Sequence, residues 1–195
     1  LFIHYWDPHT PYMPPRAYRK LFYQGDPHAP DNTSLADFER HPLGRTWRTT
    51  WFKQLGDNIT DAAYIEALYD AEIRYCDEGV GMLLDTLERL GRREDTIVLL
   101  LADHGEMMYR HGVFFDHHGL YEGNLHVPLI VRHPALPPRR IAEMTAHVDV
   151  APTLLELLGL NPEPLMEGVS LVPWLEGRTE ESVREYIVCQ ECTWQ

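Results

Sequence analysis

The sequence has little positive charge, few cysteines and no long apolar run. Its 195 residues carry 17 lysines and arginines against 30 aspartates and glutamates, a net charge of -13. A field of that sign opposes nonspecific nucleic-acid binding, which depends on cationic side chains that neutralise phosphates. No apolar stretch approaches the roughly 20 residues of a transmembrane helix. We therefore expect neither a nucleic-acid partner nor a membrane span.

The three cysteines give little information about compartment or chemistry. Cys76 lies in a helical pattern, and Cys189 and Cys192 form a single C-x-x-C near the end. Without a second pair, that motif is a weak signal for redox or metal chemistry, and we interpret it as an ordinary pair at the end of a strand. The chain opens on an apolar run at residues 1–3, with neither a start methionine nor a signal peptide. This opening predicts a fragment and leaves the compartment open.

Apolar periodicity predicts one long helix over residues 61–90. Thr60 is the expected N-cap, and Gly91 is the expected stop. Shorter helices are predicted at 149–158 and 170–175. The helical face consists of apolar or small residues spaced by three and four positions: Ile65, Tyr69, Ile73, Cys76, Val80, Leu83, Leu87 and Leu90.

Uninterrupted apolar runs predict the strands. Residues 96–102 and 127–131 are typical of strands covered on both faces, and residues 1–6 and 186–188 are two further expected strands. Residues 24–60 show no clear period and predict a long surface loop with one short helix near 35–40. Because strands alternate with helices, we expect an α/β fold with a mainly parallel sheet sandwiched by helices.

Polar residues follow the apolar run at 96–102. Asp103 and His104 come first, then Gly105 and Glu106. In parallel α/β sheets, ligands gather beyond the carboxyl ends of strands. The Asp–His pair therefore predicts half of a divalent-metal site, in which the carboxylate suits calcium, magnesium or manganese and the imidazole favours transition metals. The alternative is that Asp103 caps the following turn and His104 packs against it.

Two further segments concentrate histidine. His111, His117 and His118 lie with Asp116 within eight positions, and His9 follows the predicted first strand inside a proline-rich turn. Histidine can transfer protons, bind metals or contact anions. The alternatives are a polar loop without a shared role and a rigid turn with a surface histidine.

Together these segments resemble the sulfatase family of the alkaline phosphatase superfamily. HYWDPHTPY resembles the family's strand and H-x-P turn, and YDAEIRYCDEGVGMLLDTLERLG its long helix. DTIVLLLADHGEMMYRHGVFFDHHGLYEGNLHVPLIVRHP resembles its metal strand and substrate-contact loop. The resemblance implies an alkaline-phosphatase-like fold. Residues 1–178 would be the C-terminal part of the catalytic domain, and 179–195 the start of a truncated C-terminal subdomain.

The resemblance also implies site residues and a cofactor. Asp103 and His104 match a pair of divalent-metal ligands, for which calcium is the expected ion. His9 matches a residue that contacts the sulfate or the leaving-group oxygen. His117 matches a position that is often lysine and faces the sulfate or helps to protonate the leaving group. His118 is the candidate if the loop shifts by one position.

The family nucleophile, a formylglycine made within C/S-x-P-x-R, has no counterpart in these residues. We expect it upstream, so this chain alone should be inactive. The implied function is hydrolysis of sulfate monoesters of small molecules or carbohydrates, in which cationic groups stabilise the oxyanion and an acid protonates the leaving oxygen. The alternatives are a phosphoester or phosphonate monoester hydrolase, a phosphotransferase of the same superfamily, or a noncatalytic binding protein.

Overall fold

The computed structural model describes residues 1–191, and within them the chain forms two compact units. The first unit combines residues 1–93 with Glu106–His117, and the second combines Glu94–Gly105 with the chain from His118 onward. Each unit is thus built from two separate stretches of sequence. The expected division into 1–178 and 179–195 stays a prediction.

Helices dominate the first unit. The segment 24–60, expected to be mostly loop, is partly helical. The short helix near 35–40 is confirmed, but the prediction missed the helices that follow it, which form because local aromatic packing overrides the weak apolar period. The elements are α1 (Ala36–Arg40), α2 (Pro42–Trp47), a π-helical turn (Arg48–Phe52), α3 (Lys53–Leu55) and α4 (Ala62–Arg89).

Helix α4 confirms the long predicted helix. Asp61, rather than Thr60, is its N-cap, because the Asp61 side chain accepts a hydrogen bond from the amide of Ala63. Gly91 follows the helix with a φ of +64°, a left-handed conformation that glycine adopts without steric cost. Burial is uneven along the predicted face: Ile65 is fully buried, whereas Leu83 and Leu90 are 36% and 66% exposed.

An aromatic core fills the first unit. Phe38 packs against Phe52 and Phe115 with ring centroids 5.6 and 5.7 Å apart. Burying large aromatic side chains is a major source of folding free energy. Phe115 belongs to the stretch Glu106–His117, so the core needs both stretches of the unit. Its buried members are Tyr12, Leu35, Phe38, Trp51, Phe52, Ile59, Ala62, Ile65, Leu68 and Phe115.

The second unit contains the two strands of the described chain. β1 (Val98–Leu101) and β2 (Leu129–Arg132) pair antiparallel, with Val98 opposite Arg132. The prediction of a mainly parallel sheet is therefore not confirmed for the described residues. Both apolar runs do contain strands, but they are not covered on both faces, since Ile130 is 60% exposed. Apolar composition indicates a strand without fixing the direction of its partner.

The expected strands at residues 1–6 and 186–188 were wrong for the described chain. Both segments lie outside the assigned strands, and Leu1, Phe2, Tyr186 and Val188 are exposed. A strand forms only where a neighbour completes its backbone hydrogen bonds. Within residues 1–191, β1 and β2 pair only with each other.

The remaining helices of the second unit are short. They are α5 (Glu122–Leu125), α6 (Val150–Leu157), which a 3₁₀ turn (His147–Asp149) precedes, and α7 (Val172–Leu175). The predictions at 149–158 and 170–175 are confirmed, whereas α5 was not predicted. None of the helices within residues 1–191 combines the length and apolar character that crossing a membrane requires.

A buried ion pair ties α6 to later residues of the second unit. Asp149 is fully buried, and its two carboxylate oxygens accept hydrogen bonds from Arg184 at 2.6 and 2.7 Å. The amides of Ala146 and Val169 donate to the same carboxylate. Burial alone would raise the pKa of Asp149, but the hydrogen bonds from Arg184 and the two amides outweigh it and lower that pKa.

Two cysteines of the described residues, Cys76 and Cys189, are free thiols. Cys76 is half-buried in α4, where burial raises the pKa of its thiol. Cys189 is exposed. Cys192 lies outside the described residues, so the interpretation of the C-x-x-C pair stays a prediction. The strand that we expected before it, at residues 186–188, is not formed.

Candidate active site

The structure brings two of the predicted site residues, His9 and His117, together in the first unit. Their imidazole centroids lie 5.4 Å apart with the ring planes inclined at 57°. Both rings are half-buried and line the same pocket. A contact between the two loops that carry them, from Thr10 to Phe115, brings the rings together.

Hydrogen bonds hold the loop that carries His9. The hydroxyl of Thr10 donates to the carbonyl of Phe115 at 3.2 Å, and the amide of Met13 donates to Oε1 of Glu72 at 2.5 Å. The intervening Tyr12 is fully buried. A loop fixed at three successive points keeps His9 in one position at little entropic cost on binding.

A hydrogen bond also sets the tautomer of His9. Its Nδ1 lies 2.6 Å from the carbonyl oxygen of Thr10. Because a carbonyl only accepts, Nδ1 carries the proton of this bond. Nε2 is then the ring nitrogen through which His9 can act on a leaving group.

The loop that carries His117 folds back on itself. The amide of Met107 donates to the carbonyl of Asp116 at 2.9 Å, and Arg110 and Val113 bridge closer to the tip. This pairing brings Glu106, at one end of the loop, beside His117 at the other. Phe115 has a φ of +55°, which costs about 1–2 kcal/mol for a residue with a side chain. Its buried ring holds that conformation.

The pocket between these loops has a volume of about 270 Å³. One wall comes from the helical segment of α2 and the π-helical turn, where Trp47 and Trp51 stand four positions apart. The polar part of the lining includes the two histidines and Asp116. A pocket with an aromatic wall and a polar wall can hold an organic group and an anion side by side. Its lining is His9, Thr10, Pro11, Trp47, Thr50, Trp51, Gln54, Asp116 and His117.

Two carboxylates lie beside His117. Nδ1 of His117 is 3.9 Å from Oε1 of Glu106 and 3.7 Å from Oδ1 of Asp116. Burial, followed by the negative charge of Asp116, raises the pKa of Glu106 to about 7, although the neighbouring hydroxyl groups of Tyr12 and Thr10 lower it. No sequence pattern indicated that these carboxylates would meet, because their proximity depends on the pairing within the loop.

Asp103 and His104, the predicted metal ligands, lie in the second unit just after β1. Oδ2 of Asp103 is 3.8 Å from Nε2 of His104. Nδ1 of His104 lies 2.9 Å from the carbonyl oxygen of Gly105 and donates to it. Ligating histidines commonly make such a bond to a backbone carbonyl, because it leaves Nε2 in the form that coordinates. The pair therefore fits a divalent cation and supplies two donors. Its role as a metal site stays a prediction.

His118 has a different environment from His117. Its Nδ1 lies 3.2 Å from Oε1 of Glu191, whose other oxygen accepts the amide of Gly119. Of the two adjacent histidines, only His117 is in the lining of the pocket. The aromatic wall was missed at the sequence level, although the spacing of Trp47, Trp51 and Gln54 on one helical face could have revealed it.

Solved structures define the class of fold. The phosphonate monoester hydrolase of Agrobacterium radiobacter matches 92% of this chain with a TM-score of 0.65 and 29% identity, while the chain covers 38% of it. The phosphonate monoester hydrolase of Silicibacter pomeroyi matches 92% with a TM-score of 0.68 and 24% identity, the chain covering 37% of it. The fold is thus that of alkaline-phosphatase-like hydrolases.

The sequence comparisons give the family. The family model described as Sulfatase matches residues 1–160. The choline-sulfatase of Rhizobium meliloti is 32% identical over 192 residues, which are 95% of this chain and 37% of that protein. The N-acetylglucosamine-6-O-sulfatase of Bacteroides thetaiotaomicron is 34% identical over 121 residues, 60% of this chain and 22% of that protein. The chain belongs to the sulfatase family, and it spans little more than a third of the first of these relatives.

Proposed function

We propose that this chain supplies the leaving-group side of the active site of a sulfuric ester hydrolase. The observation that carries the proposal is the meeting of His9 and His117 in one pocket. The loops that bear them are joined through Thr10 and Phe115, which are 105 positions apart. Membership of the sulfatase family supports the reaction type.

In this proposal, the sulfate lies against the two imidazoles. Bond cleavage places negative charge on the departing oxygen, and a protonated histidine can transfer its proton to that oxygen. Nε2 of His9 is suited to this step because the Thr10 carbonyl already holds the Nδ1 proton. Imidazole N–H groups that donate to the sulfate oxygens stabilise charge as it develops.

We also propose that Asp103 and His104, in the second unit, hold a divalent cation, with calcium as the expected ion; such a cation stabilises negative charge on oxygen atoms. The attacking group is not assigned to these residues, since they contain no C/S-x-P-x-R sequence. We infer that a formylglycine elsewhere in the protein supplies it.

The aromatic wall indicates the kind of organic group that the sulfate carries. Trp47 is half-buried at the pocket, and Thr50 and Gln54 line it one and two turns later. An indole face suits the apolar face of a sugar ring or a small organic cation. We therefore propose sulfated carbohydrates or small sulfated molecules as substrates. Two relatives carry the names choline-sulfatase and N-acetylglucosamine-6-O-sulfatase.

A phosphonate monoester hydrolase is the second candidate, because solved structures with that activity match 92% of the chain. The two candidates share the histidine pocket and differ in the ester that they cleave. Turnover of an aryl sulfate and of an aryl phosphonate monoester should be compared in the full-length protein, produced with a formylglycine-generating enzyme.

The roles of the histidines are tested in the same assay. We expect His9→Ala and His117→Ala each to lower kcat/KM by about 10²–10⁴-fold, the usual contribution of a proton-transfer or oxyanion-binding group. His111→Ala is the matched control, because His111 is exposed in the same loop as His117 and is absent from the pocket lining. Equal activity of all three variants and the wild type would contradict the proposal.

A further inference from the structure

Three side chains of the loop Glu106–His117 converge outside the expected cation pair. One donor atom from each of Glu106, Asp116 and His117 lies within 4.8 Å of the other two. We propose that these residues form a site for a divalent transition metal, with zinc as the ion to test. This group shares no residue with the pair Asp103–His104.

A buried acceptor provides independent support for a ligand. The Glu106 side chain is only 4% exposed. Its Oε1 is buried and accepts no hydrogen bond from any residue between 1 and 191. A buried carboxylate oxygen without a donor costs about 1–3 kcal/mol or more. Since this oxygen lies on the side of His117 Nδ1, a cation placed between them would replace the missing donor.

The separations between donors are close to those of a small coordination sphere. Zinc binds nitrogen and oxygen at about 2.0–2.2 Å, so neighbouring ligands of a tetrahedron stand about 3.3–3.5 Å apart. Oε1 of Glu106 and Oδ1 of Asp116 lie 3.9 and 3.7 Å from Nδ1 of His117. Side-chain rotations that move the donor atoms by a few tenths of an ångström would shorten both distances to those expected around zinc. The backbone pairing of the loop would not need to change.

The donor set selects the class of metal. One imidazole nitrogen and two carboxylate oxygens suit zinc or manganese better than calcium, which prefers six to eight oxygens. Two nearby carboxylates also repel each other, and a divalent cation cancels that repulsion. Three protein ligands leave a fourth tetrahedral position for another group.

Such a site would give the two histidines different roles, with His117 binding an anion and His9 transferring a proton. A metal on Nδ1 of His117 leaves Nε2 as a fixed hydrogen-bond donor to an anion in the pocket. His9, whose Nδ1 is bonded to Thr10, then remains the residue that transfers a proton. These separate roles of His9 and His117 rest on the proposed function. The zinc site itself does not, because metal binding requires no turnover.

Zinc binding should be measured directly on the full-length protein, by calorimetry and by metal analysis after dialysis, with calcium in excess to fill calcium sites. We expect one zinc per protein. Glu106→Gln and Asp116→Asn should each weaken zinc binding at least 10-fold, whereas Asp103→Asn and the exposed-site control Asp37→Asn should leave it unchanged. Circular dichroism checks that each variant folds, and the isosteric amides keep the volume of the loop.

Several outcomes would overturn the inference. They are the absence of zinc in the wild type, unaltered zinc affinity in both Glu106→Gln and Asp116→Asn, and loss of zinc in Asp103→Asn alone. If Asp116→Asn does not fold, Glu106→Gln decides the question. Because the readout is bound metal, its failure leaves the hydrolase proposal standing, and loss of hydrolysis would leave the zinc result unaffected.

Discussion

Replacement of Glu72 by glutamine should change how the stability of the protein depends on pH. Glu72 is 2% exposed, its Oε1 accepts the amide of Met13, and its Oε2 is buried without a hydrogen-bond partner among residues 1–191. Burial is the main cause that raises the pKa of this carboxyl from 4.5 to about 8, although the Met13 amide lowers it. The folded protein therefore keeps this proton at neutral pH.

The sign and size of the effect follow from proton linkage. The unfolded chain releases the proton near pH 4.5, whereas the folded chain holds it to about pH 8. Between these values the folded state binds more protons, so stability falls as pH rises. At 1.36 kcal/mol per pKa unit, Glu72 lowers the free energy of unfolding by about 3–4 kcal/mol between pH 5 and pH 8.

Glutamine keeps the acceptor for Met13 and has no proton to lose. Its amide protons lack an acceptor, a cost of about 1–3 kcal/mol that is the same at every pH. Glu72→Gln should consequently remove the slope that Glu72 contributes, leaving the variant less sensitive than the wild type. Urea unfolding at pH 5, 6, 7 and 8 measures this, with Asp85→Asn, at an exposed position of α4, as control. If the free energy of unfolding changed with pH by the same amount in Glu72→Gln and in the wild type, the reasoning would be refuted.

Three further changes test other parts of the structure. Asp149→Ala should lower the free energy of unfolding by about 3–5 kcal/mol at pH 7, because it leaves the partly buried Arg184 without its carboxylate. Since folding lowers the pKa of Asp149, the wild type should lose this contribution as pH falls through that pKa. An unfolding midpoint that does not move with the substitution would contradict this account. Gly105→Ala should destabilise the second unit by several kcal/mol in denaturant titration, because a Cβ there would stand 1.9 Å from the carbonyl oxygen of Gly123. Gly81→Ala is its control, because a Cβ at that position meets nothing within 4 Å. Asp103→Ala should lose the cation expected at that residue, and unchanged calcium stoichiometry in metal analysis would reject the assignment.

The elements that the sequence predicted well are those with a local signal. Helix α4 shows its apolar period over 28 residues, and α6 has a cluster of leucines followed by Gly159 with a φ of +71°. Residues 1–6 and 186–188 have strand-like composition, but a strand depends on a partner that composition does not identify. For the same reason, the runs around β1 and β2 predicted strands without predicting that they pair antiparallel.

The site was predictable to the extent that motifs marked it. His9 and His117 stood in segments that resemble a known family, and the structure places them in one pocket. Glu106 and Asp116 joined them only through the pairing of Met107 with Asp116, a register that no local pattern indicated. The aromatic wall was hidden in a segment where prolines and glycine obscured the helical period.

The position of Phe115 in the core has a consequence for folding during synthesis. The other buried members of that aromatic cluster lie before residue 69, so a ribosome has made them well before Phe115 emerges. At about 5–20 residues per second, the nascent chain waits a few seconds with Phe38 and Trp51 unable to bury fully. Contacts so distant in sequence also slow folding of a complete chain. A chaperone that shields aromatic surface would therefore act on this interval of translation, and the pocket between His9 and His117 would form only after it ends.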